Sequence, residues 1–211
     1  MQYLELKEKL NGFALISLAD IRKIEANFDL RRLNEWQGKG YIKKIRRGYY
    51  IFSDVNLNEQ ALFLIANKIY YPSYISFEMA FSYYGLIPES VYGITCATTK
   101  KTTTFKTPVG EFIYHKIKPS LMFGYQLKNY QNQNYKIADL EKAFLDYLYI
   151  NPQLATETDF FELRFNGREF LAQADMQKLN NYIAVFKNKK LGERVKNFLT
   201  FIKNQQSLCL P

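Results

Sequence analysis

Residues 17–52 read SLADIRKIEANFDLRRLNEWQGKGYIKKIRRGYYIF, and the order of signals within them decides the fold. Ser17 with Asp20 three positions on is a capping-box start, with Asp standing where Glu or Gln is usual. The helix it opens carries Leu18, Ile21 and Ile24 on one side. Ala26-Asn27-Phe28 then reads as a turn, and Asp29 as the N-cap of a further helix. Leu30, Leu33 and Trp36 form the inner face of that helix, and Gly38 and Gly40 end it. Tyr41–Ile45, Arg46-Arg47-Gly48 and Tyr49–Phe52 follow as strand, tight turn and strand. Upstream, Gln2–Leu10 reads as a short helix stopped by Gly12. Three short helices and a hairpin, with a turn of a few residues between the second and third helices, predict a winged helix-turn-helix over residues 1–55.

The charges follow from that geometry. With Leu30, Leu33 and Trp36 inward, Arg31, Arg32, Asn34, Glu35 and Gln37 project outward. Arg, Asn and Gln are the side chains that pair bidentately with guanine and adenine edges in the major groove. The hairpin adds Lys43, Lys44, Arg46 and Arg47, beside Lys39. Between Arg31 and Arg47 seven basic residues face one acidic residue, Glu35, so two thirds of the chain's net charge of +9 lies in this segment. Arg31, Arg32, Asn34, Gln37, Lys39, Lys43, Lys44, Arg46 and Arg47 are therefore the candidate DNA-contacting residues. The hairpin cations are expected on phosphates, which position a protein, and Arg31, Arg32, Asn34 and Gln37 are the four that could specify sequence. The residues do not rank those four.

Apolar side chains make up 47% of the 211 residues, enough for a real core, which excludes the disordered class. Charged Glu5, Lys7, Glu8 and Lys9 leave no apolar signal core near the start, and no apolar run reaches the roughly 20 residues of a membrane helix. Cys96 and Cys209 are too few and too far apart for a disulfide framework. These features predict a cytoplasmic protein without a membrane partner.

Beyond a short linker at Asp54–Asn58, residues 56–211 read as one mixed α+β domain. Glu59–Tyr71, Phe77–Tyr84 capped by Ser76, Ala138–Tyr149, Asp175–Phe186 and Gly192–Asn204 are the predicted helices. Ile94–Thr98, Thr102–Lys106, Glu111–Ile117 and Met122–Gln126 are the predicted strands, with Pro108-Val109-Gly110 as a turn. The fold class is thus α+β, an N-terminal winged helix-turn-helix followed by a mixed α+β C-terminal domain.

This larger part shows no catalytic constellation. His115 is the only histidine, without Cys or His neighbours at zinc-ligand spacing and without a Gly-x-Ser-x-Gly elbow, and reads as a structural or surface residue. No phosphate-binding loop is present. A nuclease needs paired carboxylates and a lysine, but Glu5-Leu6-Lys7 falls on a helix and Glu111 and Lys116 face opposite sides of a strand. Asp139, Glu141 and Asp146 read as capping and solvating their helix. The residues imply no metal, no cofactor and no catalysis. The run Thr98–Thr104, with Lys100 and Lys101 and followed by Lys106, is a second basic patch, suited to nucleic acid or a protein partner or serving only as an exposed hairpin.

Four stretches together resemble the AbiEi family, the antitoxin and transcriptional-regulator half of AbiE-type toxin–antitoxin systems. They are LNEWQGKGYIKKIRRGYYIF (33–52), SYISFEMAFSYYGLIPE (73–89), the Thr-Lys-rich segment within 98–125 containing TTKKTTTFKTPVGEFIYHKIKP, and IADLEKAFLDYLY (137–149). Leu140 stands where the family often has Pro. The resemblance, covering about residues 15–150, implies a winged domain that represses its own operon at inverted repeats. It also implies a second domain that counteracts a nucleotidyltransferase-like toxin without requiring a direct complex, with Lys100, Lys101 and Lys106 as antitoxin candidates. Two other classes of function stand beside it: a DNA-targeted nuclease, and an interaction module whose winged domain binds protein.

Overall fold

The computed structural model describes residues 1–88 and 91–208; Cys209 and Glu89 lie outside the described residues. The chain is mixed α+β, with ten α-helices and two sheets among the described residues. The first part holds α1 (Tyr3–Lys9), β1 (Ile16–Ser17), α2 (Leu18–Ile24), α3 (Arg31–Gly38), β2 (Ile42–Arg46) and β3 (Tyr49–Phe52). Its three strands form one sheet in the order β1-β3-β2, antiparallel throughout.

Local chemistry sets these boundaries. The Asp20 amide donates to Ser17 Oγ at 3.2 Å, and the Ser17 amide donates to Asp20 Oδ2 at 2.9 Å, which completes the capping box at the start of α2. Asp29 Oδ1 accepts from the Arg31 amide at 2.9 Å, but the helix begins two residues later than Asp29, with Leu30 in the cap position. Leu30 is consequently 44% exposed and is not part of the inner face, which Leu33 and Trp36 supply. Phe28 and Tyr3 each pack a ring 5.7 Å from that of Trp36, so α1 and the turn before α3 close a small core around the one tryptophan.

The larger part is built on a six-stranded mixed sheet in the order β6-β7-β5-β4-β9-β8. Its strands are β4 (Ser73–Ile75), β5 (Ile94–Thr98), β6 (Thr103–Thr107), β7 (Gly110–Lys116), β8 (Tyr125–Tyr130) and β9 (Gln133–Ala138). β4 and β5 are buried along their whole length and sit at the centre, whereas β6, which alternates, and β8, which is exposed at Gln126, Leu127 and Asn129, form the edges. The β6–β7 hairpin turns at Pro108-Val109, as the sequence predicts. β8 begins three residues after the predicted Met122, because Pro119–Leu121 forms a 3-10 turn first.

One face of the sheet carries α4 (Glu59–Ile69), whose residues are buried almost all round, with Tyr114 Oη donating to the Ala66 carbonyl at 2.7 Å. The other face carries α5 (Phe77–Tyr83) and α6 (Leu140–Ile150), backed by α7 (Glu157–Glu162), α8 (Gly167–Gln173), α9 (Met176–Phe186) and α10 (Lys189–Leu208). Ser76 precedes α5 but does not cap it. Its hydroxyl instead donates to Asp146 Oδ2 at 2.9 Å.

The three carboxylates of the α6 segment are buried, not solvated as the sequence predicts. Asp146 accepts from Tyr74 Oη at 2.7 Å and pairs with Lys142, which is itself fully buried and also donates to Tyr74 Oη at 2.7 Å. Burial pushes Asp146 above the usual carboxylate range and Lys142 below the usual ammonium range, although each favours the other's charged form. Asp139 and Glu141 each lie 3.0 Å from Lys178 on α9, and Tyr182 donates to Asp139 at 2.9 Å. Here burial works against the Asp139 charge, but hydrogen bonds from Lys178, Tyr182 and Gln126 outweigh it and hold its carboxyl below the ordinary value. No helix among the described residues is long and apolar enough to cross a membrane.

Candidate nucleic-acid interface

The solvent side of α3 divides into two stripes at helical spacing. Arg32, Glu35 and Lys39 form one, facing α1 across a cleft that Gln2, Tyr3 and Tyr41 also line. Every charge on this stripe is engaged. Arg32 donates to the Met1 carbonyl, and the Met1 ammonium pairs with Glu25 at 3.1 Å. Lys39 donates to Glu35 at 2.6 Å; that bond holds the Glu35 carboxyl below its ordinary range and the Lys39 ammonium above its own.

Arg31, Asn34 and Gln37 form the other stripe, and it is open. All three are exposed and make no side-chain hydrogen bond or ion pair among the described residues. The stripe runs into a cleft of about 330 Å³ lined by Gln37, Gly40, Lys43, Lys44, Ser53 and Pro108. Gln37, at the end of this stripe, and two hairpin lysines thus border one depression. Four residues that the sequence left unranked now separate: Arg31, Asn34 and Gln37 are available to a ligand, and Arg32 is occupied.

The hairpin cations separate in the same way. Strict alternation would send Lys43 and Lys44 to opposite faces of β2. Both are nevertheless exposed on this edge strand, whose buried positions belong to different cores, Ile42 to the small one and Ile45 to the large one; a bulge follows, where the pairing shifts between Lys44 and Arg46. Arg47 is exposed in the turn, and Gly48 closes the turn with φ +82, a left-handed conformation that disfavours any side chain. The Gly48 carbonyl accepts from the Leu18 amide at 2.9 Å, so the turn is docked against the start of α2. Arg46 is turned away from solvent, contrary to its expected role on a phosphate. It donates to the Ile69 carbonyl at the end of α4, and its guanidinium lies 4.0 Å from the Phe105 ring centroid and 5.3 Å from that of Tyr70. This joint could not be read locally, because its partners lie far along the chain.

The second basic patch lies beside the first. Lys100, Lys101 and Lys106 are all exposed. The β6–β7 turn places Pro108 on the cleft that holds Lys43 and Lys44, and the Lys100 ammonium sits 5.1 Å from the Tyr70 ring that Arg46 also approaches. His115 is half-buried on the opposite face of β7, its ring 5.1 Å from that of Phe77, and burial lowers its pKa more than Glu78 raises it. No group of His, Cys, Asp or Glu among the described residues is placed to hold a metal ion. No protein-family profile and no curated protein matches the chain.

Proposed function

We propose that the chain binds double-stranded DNA through a winged helix-turn-helix formed by residues 1–55, with α3 entering the major groove. The observation that carries this reading is the open Arg31–Asn34–Gln37 stripe, whose Gln37 borders the cleft lined by Lys43 and Lys44, a cleft with no acidic side chain among its described lining residues. A strand before α2 completing a β1-β3-β2 sheet supports the winged form. Lys43, Lys44 and Arg47 supply phosphate contacts, and Arg31, Asn34 and Gln37 read base edges. Following the AbiEi resemblance, the DNA is the protein's own promoter, and the larger part acts as an antitoxin against a nucleotidyltransferase-like toxin, with Lys100, Lys101 and Lys106 as its candidate residues.

A salt-titrated mobility shift on the DNA upstream of the chain's own gene, against random DNA, tests the first half. A preference of about tenfold or more (about 1.4 kcal/mol) for the upstream DNA is expected. Asn34→Ala or Gln37→Ala should erode that preference, since a bidentate base contact discriminates by roughly 1–3 kcal/mol. Equal binding to both DNAs, erased by moderate salt, refutes sequence-specific regulation. Co-expression with the neighbouring toxin gene tests the second half, and growth arrest that this chain fails to relieve refutes it.

A further inference from the structure

The cavity that the DNA-binding reading leaves unused lies on the far face of the large sheet. β7 alternates: Phe112 and Tyr114 face α4 and the first part of the chain, whereas Ile113 and His115 face a cavity of about 540 Å³ bounded by α5, α6 and the segment after α7. That volume falls in the range of small-molecule sites. Its wall is aromatic, with Phe81 packed on Tyr147 at 5.0 Å and on Phe165 at 5.2 Å between ring centroids.

Charge decides the class of occupant. The chain carries a net charge of +9, yet no Lys or Arg is among the described residues lining this cavity, while Glu78 and Glu162 both line it. Glu78 Oε2 is shut off from solvent and has no hydrogen-bond partner among the described residues. A buried carboxylate oxygen without a donor leaves the Glu78 charge uncompensated within the protein, a cost that a cation in the cavity lowers by Coulomb attraction. Thr95, the other polar group at the sheet, is already satisfied, donating to the Ser76 carbonyl at 2.7 Å and accepting from the Met79 amide at 3.0 Å. Burial keeps His115 on the neutral side, so it does not supply the missing cation. An unpaired carboxylate beside a wall of edge-packed and tilted rings is the arrangement that recognises an ammonium group carried on an apolar body.

We propose that this cavity binds a small organic amine, its ammonium on Glu78 and its apolar body against Phe81, Tyr147 and Phe165. The site is separate from the DNA face and does not depend on the DNA-binding reading.

The test is calorimetric titration of the full chain with 2-phenylethylamine and tryptamine, alongside the neutral 2-phenylethanol and the anionic 3-phenylpropanoate. The amines are expected to bind at least about tenfold more tightly than the alcohol, a difference of about 1.4 kcal/mol, and the carboxylate not at all. Glu78→Gln should remove the preference for amine over alcohol, and Ile113→Trp, which fills the cavity, should abolish binding of both. Absence of amine binding, equal affinity for amine and alcohol, or amine binding that survives both substitutions overturns the proposal.

Discussion

Replacing Lys43 and Lys44 together by alanine tests the proposed DNA face most directly, because the structure says how many cations are left to meet phosphate. Of the seven basic residues between Arg31 and Arg47, Arg32, Lys39 and Arg46 are engaged within the protein. Arg31, Lys43, Lys44 and Arg47 remain exposed and without a partner among the described residues. With Arg31 on base edges, three cations remain for phosphates; each phosphate neutralised contributes about −0.9 to the slope of log affinity against log salt, so three contacts give about −2.7. Raising salt from about 50 to about 200 mM then weakens the wild type roughly 40-fold. The double variant keeps one contact, a slope of about −0.9, and loses only roughly 3.5-fold over the same range. Fluorescence anisotropy at five or six salt concentrations, on upstream and random duplexes, reads both slopes. The loss should be equal on the two duplexes, since phosphates carry no sequence. A slope unchanged within about 0.5, or a loss confined to one duplex, refutes the assignment of these lysines.

Arg46→Ala should act on stability and leave the salt slope unchanged, costing about 2 kcal/mol for a charge-assisted hydrogen bond and two ring contacts; a melting curve equal to wild type together with a flattened slope would restore Arg46 to the DNA face. Asp146→Leu strands the fully buried Lys142 and should destabilise by roughly 3–5 kcal/mol, which chemical denaturation reads; a change under about 1 kcal/mol means that Lys142 is not charged. Stability should also fall in acid through Asp139. Its pKa is depressed in the folded state, so its contribution is complete above the ordinary aspartate value near 4 and is lost as pH falls through the lower folded value. Asp139→Asn should flatten that part of the pH profile of the melting temperature, and an unaltered profile would mean that other carboxylates carry it.

What the sequence makes legible is what short-range chemistry decides. The Ser17–Asp20 box, the glycine turns at Gly40 and Gly48, and the buried faces of α6 and α10 all depend on neighbours within four residues. β4 went unread because it is only three residues long, and β9 because Gln133, Asn134 and Lys136 interrupt its apolar pattern. α7 and α8, of six and seven residues, are too short to show a period. The polar core was illegible for a different reason. Lys142 and Asp146 are four apart on a helix and look like a solvated surface pair; what buries them are Tyr74 and Ser76, about seventy positions earlier. Glu78 likewise looks like an ordinary helical carboxylate until the fold brings Tyr147 and Phe165 around it.

The change of pattern after residue 55 marks a change of architecture but not a break in packing. Ala14, Leu15, Ile45 and Ile51 belong to the same buried cluster as Phe63, Leu64, Ile65 and Met79, so the back of the small sheet is part of the large core. Arg46 clasps the end of α4, and the Gly48 carbonyl holds the start of α2. A hairpin fixed at both places presents Lys43 and Lys44 from a scaffold that is already ordered, so the proposed binding of a duplex would cost little conformational freedom there. The same continuity places the β6–β7 hairpin, with Pro108 on the cleft and Lys106 two residues before it, along the edge of the small sheet. The larger part therefore positions the proposed DNA face as well as following it in the chain, and this accounts for a cation in the basic segment being spent on the joint.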